Sequence, residues 1–347
     1  MRRRTFSNLL AVFTAALTLT LGAIGQPAHA EAKKWKFANP WPATHPATKK
    51  LDQMLAEINE RAKGELELEM MYLRAVGYKQ GDLLRVLKQG VADMSLFVPY
   101  YVSRDAPLLA NVVPAGGLFD AEQNLEIAGA QREYASKILQ RDWDATLATR
   151  FFNLGGRNLI IVSKEPISSL EGLEGKKLRH FDKTAIAAMK ELGISAQTLP
   201  QSELYLALQT GVVDAAVHGL TNAKAQSLYE VACCFSDFTP FPGQGAPYGF
   251  IVRTDDWNAL SDSVRKTIQE VAEKQWEEGV EGWRKGEASA EAKAFLVKNG
   301  MQDLGSFSQA DRQKLQDVVF AVWKAQCEKL GPEAMDLYNQ VSKILGR

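Results

Sequence analysis

The chain has 347 residues, 46% of them hydrophobic and 24% charged, with 41 basic side chains against 41 acidic ones. That length supports about two domains of ordinary size, and nothing in the even balance suggests nucleic acid or an anionic membrane surface as a partner. Of the three cysteines, Cys233 and Cys234 are adjacent and Cys327 is remote, which is no metal-ligand spacing. One pair of them can bridge in an oxidising compartment, and sequence does not assign which.

Arg2, Arg3 and Arg4 precede an uncharged apolar run over 9–24, and Ala28-His29-Ala30 follows it. A charged start, an apolar middle and an A-x-A site describe a secretory signal peptide. Residues 1–30 are therefore expected to be removed after Ala30, and the mature chain to reside in the periplasm. The run is short of a membrane span of about 20 residues. Arg3-Arg4-Thr5-Phe6 partly resembles a twin-arginine signal but lacks the basic residue common near the cleavage site, so the general export route is expected. Loss of the three arginines leaves 38 bases against 41 acids, a formal charge of −3. With no cysteine near the cleavage site, a lipid anchor is not expected.

The first lobe opens with an alternating strand at 34–39, and a Pro-rich turn at 40–46 carries Trp41 and His45. A helix over 47–62 places Leu51, Leu55 and Ile58 at helical spacing, and Gly64 ends it. A strand at 66–72, a loop to Gly81, a helix to Gln89 and a strand at 92–98 complete the lobe. The second lobe reads as strands at 158–163, 176–181, 196–199 and 212–218, with helices at 184–192 and 202–210. Strands alternating with helices of about ten residues imply a parallel sheet, with ligands bound beyond the carboxyl ends of its strands. Arg179 stands at such an end.

The lobes also share a pattern. Residues 80–97 align without gaps on 201–218, and six of the eighteen positions are identical. Helix, glycine, strand is a common unit, so chance similarity competes with the reading preferred here, which is two similar α/β lobes facing across a cleft.

Residues 240–247 form a loop rich in Gly and Pro, and 248–253 reads as a strand. From 261 to about 298 the pattern is helical. A brace along both lobes and a break near Gly279, Gly282 or Gly286 both fit it. Two amphipathic helices, 308–330 and 332–345, end the chain.

The step Gly155-Gly156-Arg157, the run Ser168-Ser-Leu-Glu-Gly-Leu-Glu-Gly-Lys-Lys-Leu-Arg179 and the run Tyr205-Leu-Ala-Leu-Gln-Thr-Gly-Val-Val-Asp214 resemble the extracytoplasmic solute receptors of tripartite ATP-independent periplasmic (TRAP) transporters, of the DctP type. The resemblance covers essentially the whole mature chain. It implies an α/β fold, a two-lobed periplasmic binding protein clamshell in which each lobe is a mixed, mostly parallel sheet flanked by helices. A long helix is expected to span both lobes. Lobe I is expected over 31–153 plus 245–284, and lobe II over 154–244 plus 285–347. The resemblance further implies no enzymatic activity, no cofactor and no metal. The partners it implies are a small organic acid and, transiently, the membrane permease.

The family's carboxylate-clamping arginine matches Arg179, and its assisting arginine matches Arg157. A guanidinium suits the first role, because its planar fork meets a carboxylate two bonds at a time. An arginine before a strand also suits a plain ion pair, the competing reading for Arg157. The chain departs from the family after the clamp, with His180-Phe181 where Val-Pro is usual, followed by Asp182. His218 stands where an asparagine often contacts ligand. Val98 replaces the glutamate of sialic-acid receptors. Trp41, Tyr100, Tyr101 and Phe181 are read as an apolar end of the pocket, although aromatic residues also build cores. Together these departures point to an aromatic, keto or hydroxy monocarboxylate. A receptor that signals to a membrane kinase needs the same clamshell. An enzyme acting on organic acids is disfavoured, because neither G-x-S-x-G nor H-E-x-x-H occurs and only four histidines are present.

Overall fold

The computed structural model describes residues 32–114, 121–151, 159–238 and 248–347. The export signal at 1–30, Arg157 and the loop at 240–247 lie outside the described residues.

The chain first lays down β1 (Lys33–Asn39), α1 (Pro46–Arg61), β2 (Leu66–Tyr72), α2 (Leu83–Lys88), β3 (Met94–Phe97), α3 (Pro107–Ala110), α4 (Ala121–Trp143) and β4 (Ala145–Leu147). It then passes to β5 (Leu159–Ser163), β6 (Lys177–His180), α5 (Lys183–Glu191), β7 (Ser195–Thr198), α6 (Leu204–Thr210), β8 (Ala215–Gly219), α7 (Leu220–Ala225) and β9 (Cys234–Asp237). The return comprises β10 (Gly249–Arg253), α8 (Thr254–Asn258), α9 (Asp262–Lys285), α10 (Glu287–Lys298), β11 (Gln302–Ser306), α11 (Gln309–Leu330) and α12 (Pro332–Ile344).

Two mixed sheets result, in the orders β2-β1-β3-β10-β4 and β11-β9-β5-β8-β6-β7. In the first, β1 runs parallel to β2 and β3, while β10 returns antiparallel between β3 and β4. In the second, β7, β6 and β8 are parallel, whereas β5 is antiparallel to both β8 and β9. Each sheet is covered by helices over its own apolar core, so the chain forms two lobes. The helix α4 and the short strands β4, β9 and β11 add to the elements expected from sequence.

The internal repeat has a structural counterpart. Gly90 and Gly211 follow their helices at φ of 69° and 75°, a conformation open to glycine at little steric cost. Asp93 and Asp214 come next. The Asp93 N–H donates to Lys36 O at 3.0 Å, while its Oδ2 accepts from Lys36 N at 2.8 Å. Asp214 makes the same two bonds to Lys177, at 2.8 and 2.9 Å. Each aspartate thus fixes the strand beside it, β1 in one lobe and β6 in the other.

Between the lobes the helical run breaks where Gly286 adopts φ 66°, which ends α9 on the first core and starts α10 on the second. The unbroken helix across both cores is instead α11. Its Leu315 and Val319 belong to the second core, and its Phe320, Trp323 and Cys327 to the first. Ala334, Leu337 and Val341 of α12 then return to the first core. The disulfide joins the neighbours Cys233 and Cys234, and Cys327 is a buried free thiol. No helix among the described residues is long and apolar enough to cross a membrane.

Candidate functional site

The parallel strands of the second sheet, β6, β7 and β8, end side by side facing the first lobe. Arg179 is paired in register with Gln197 of β7 and Ala216 of β8. Its Nε donates to Leu199 O at 3.1 Å and its Nη1 to Val217 O at 3.0 Å. These two anchors hold the guanidinium by one side. Only 4% of the residue is exposed, and no carboxylate pairs with it among the described residues. Burial pulls its pKa down to about 10, while the nearby Tyr101 pulls the other way. The group stays cationic at neutral pH, a buried charge with no carboxylate paired to it among the described residues.

His218 follows Val217 on β8 and is 3% exposed. Burial first, and the Arg179 charge second, push its pKa well below the usual value. The imidazole is therefore neutral. The Gln226 side chain hydrogen-bonds this buried ring.

The first lobe supplies the facing wall. Trp41 Nε1 donates to the Tyr101 hydroxyl at 3.1 Å. The Trp41 ring stacks on His45 at 4.5 Å and meets Tyr248 edge-on at 5.2 Å. His45 caps α1 by accepting the Ala47 N–H. Burial lowers its pKa to about 4, offset in part by a hydrogen bond to Gln201 of the other lobe. Burial also raises the Tyr100, Tyr101 and Tyr248 phenols, so all three stay protonated. Across the cleft, Tyr100 meets Phe181 with ring centroids 5.9 Å apart, and Arg74 donates to the Ser202 hydroxyl at 2.9 Å.

The structure thus brings Arg179, His218, Tyr101, Trp41, Tyr100 and Phe181 to the facing ends of the two lobes. Val98 is different. It is 2% exposed within the first core, and its carbonyl accepts from Tyr101 N at 3.0 Å. Asp182 caps α5 by accepting from Thr184 N and Ala185 N. His180 points to the opposite face of the sheet from Arg179, as alternation along a strand requires. There its Nδ1 accepts the Asp182 N–H at 3.0 Å.

Four of the cleft residues were not singled out from sequence as site residues. Gln201 stands just beyond the carboxyl end of β7, so the strand-end rule that found Arg179 also covers it, whereas Tyr248 precedes β10. His45 belongs to the stretch that sequence reads as a Pro-rich turn. Gln226 follows α7, and nothing local marks it.

Among the described residues, the buried Arg179 guanidinium sits among neutral imidazoles, amides and phenols. Such a site receives an anion. Charge on a ligand carboxylate would answer the Arg179 fork, and flat rings would flank the rest of the molecule.

A model of the family described as bacterial extracellular solute-binding protein, family 7 (DctP), matches residues 37–330. A solute-binding protein of Chromohalobacter salexigens is 26% identical over 88% of this chain and 90% of its own length. The C4-dicarboxylate-binding periplasmic protein DctP of Rhodobacter capsulatus is 24% identical over 94% and 96%. Among solved structures, a Bordetella pertussis extracytoplasmic solute receptor binding pyroglutamic acid superposes with a TM-score of 0.75 at 19% identity. It covers 90% of this chain and 100% of that one. The family comprises transporter receptors for small acids rather than enzymes. With two mixed sheets, facing strand ends and this match over most of its length, the chain belongs to the DctP family of TRAP solute receptors.

Proposed function

We propose that the mature protein is a periplasmic receptor that clamps the carboxylate of a small organic acid with Arg179 and delivers the closed complex to a TRAP membrane permease. The observation that carries this reading is the buried Arg179 guanidinium, anchored on two carbonyls and facing no acidic side chain among the described residues. A buried charge is stable only when paired or solvated, and the ligand carboxylate is the natural counter-charge. Arg157 assists in the same clamp. Trp41, Tyr100, Tyr101 and Phe181 wall the body of the acid, with His218 giving or taking one hydrogen bond. In its widest form the ligand class is an aromatic, keto or hydroxy monocarboxylate. Residues 1–30 serve as the export signal.

A thermal-shift panel of organic acids tests this, because a ligand that binds only the folded state raises the melting temperature by mass action. Small monocarboxylates are expected to shift the parent, and Arg179→Ala to remove every shift while the fold survives. An Arg179→Ala protein that responds like the parent overturns the clamp.

A further inference from the structure

The bridge between the neighbours Cys233 and Cys234 ties no two distant parts of the chain together. The stabilisation that a disulfide brings grows with the loop it closes, and a bridge between neighbours closes the shortest loop. The segment is also held without it. Cys233 N donates to Ser163 O at 3.0 Å and Cys233 O accepts from Gln302 N at 2.8 Å. Cys234 pairs in register with Ser163 of β5 and Gln302 of β11. A brace is therefore not what the bridge supplies. Its two ends differ in access, since Cys233 is exposed and Cys234, at the start of β9, is 1% exposed. It also stands apart from the clamp. Cys234 lies level with Ser163 and Ala215, whereas His218 lies level with Ile160 and Asp237 at the cleft end of the same sheet.

We propose that Cys233 and Cys234 form a thiol-exchange site, remote from the ligand cleft, whose reaction partner is an external dithiol. Exchange proceeds by attack of a thiolate on one sulfur of a disulfide and departure of the other. A thiolate of the dithiol attacks the Cys233 sulfur, the accessible end, and forms a mixed disulfide there. The Cys234 sulfur leaves as a thiolate and takes up a proton. The second thiolate of the reductant then attacks its own sulfur in the mixed bond, which closes the reductant's disulfide and releases Cys233, protonated in turn. The dithiol gives up two electrons and two protons, and the protein gains both. In the reverse direction Cys234 resolves any mixed disulfide on Cys233, because it is the adjacent thiol and its shelter keeps outside thiols from competing. The ladder bonds of Cys233 to Ser163 and Gln302 keep the strand in place in both redox states.

Dithiothreitol treatment of the folded, mature chain in mildly alkaline buffer, followed by N-ethylmaleimide and peptide mass mapping, tests the proposal. Two labels are expected on the peptide holding Cys233 and Cys234 and none on the buried Cys327. The melting midpoint of the reduced protein is expected within about 3 °C of the oxidised one. Reduced glutathione, a monothiol, followed by an acid quench should leave its adduct on Cys233. With oxidised glutathione, Cys234→Ser is expected to take up glutathione at Cys233 about tenfold or more faster than Cys233→Ser does at Cys234. Circular dichroism checks the fold of both variants, and the parent's labelling and adduct position decide the matter if either fails to fold. A bridge that dithiothreitol opens only after urea has unfolded the chain overturns the site. A midpoint lowered by more than about 8 °C on reduction makes the bridge a brace. Adducts on Cys234, or equal rates in the two variants, overturn the assignment of Cys233 as the point of attack.

Discussion

Tyr100 and Phe181 meet edge to face across the cleft, with ring centroids 5.9 Å apart and planes at 76°. One ring follows β3 of the first lobe and the other follows β6 of the second, so the pair exists only while the lobes touch. Such a contact contributes about 0.5–1.5 kcal/mol beyond area burial. Phe181→Leu is therefore expected to weaken ligand binding by about two- to tenfold and to leave the melting temperature of the empty protein nearly unchanged. Titration calorimetry and a thermal scan of the same sample separate the two effects.

Arg179→Met should divide stability from function. Burial lowers the Arg179 pKa to about 10, which is about 3 kcal/mol held against the charged form. The bonds to Leu199 O and Val217 O return a similar amount. The empty variant is expected to lie within about 1 kcal/mol of the parent in urea unfolding, with stabilisation by added organic acid ligand gone. A loss of several kcal/mol would show that the arginine holds the lobe together.

Acid should weaken the fold through its buried imidazoles. Burial holds His45 at about 4, and burial together with the Arg179 charge holds His180 at about 3 and His218 well below the usual value. In the unfolded chain each titrates near 6.5. Their contribution is full above that pH. Below it the unfolded state takes up protons that the folded state refuses, and each imidazole removes roughly 1.4 kcal/mol per pH unit until its folded value is reached. Urea unfolding between about pH 7 and pH 5 should show stability falling with pH. His180→Leu should make that fall shallower; an unchanged slope would mean that His180 is charged in the fold.

The paired aspartates give a test of the repeat. Asp214→Ala removes the carboxylate bond to Lys177 N and should cost about 1–2 kcal/mol. Asp93→Ala removes the matching bond to Lys36 N and also the contact with Arg253 at 3.2 Å. It should cost more. Equal and negligible losses in chemical denaturation would reduce the aspartates to surface residues.

Where one residue type answers one local need, the fold was legible in the sequence. Gly211 and Asp214 mark the turn into β8, and the helical period of Leu51, Leu55 and Ile58 marks α1. Arg179 was legible for a similar reason, since a strand end followed by a helix is a ligand position in any parallel sheet. The long-range elements were not. β4 has three residues, and β11 is Gln-Asp-Leu-Gly-Ser, too short or too polar to show a strand period. The role of α11 was not legible because its apolar residues serve two cores in succession. Leu315 and Val319 face one, and Phe320 and Trp323 the other, so no single stripe runs its length. Gln201 and His45 acquire their role only by meeting across the cleft, and no local pattern records that.

That continuous helix constrains how the receptor moves. With 22 residues at about 1.5 Å each, α11 is a rod roughly 33 Å long set into both bodies, and Trp323 fastens it through Nε1 to Asn111 Oδ1 at 2.9 Å. Two bodies sharing one stiff rod cannot slide apart without tearing a core. Their low-cost freedom is a swing that leaves the rod in place and changes the gap between Arg179 on one lobe and Tyr101 on the other.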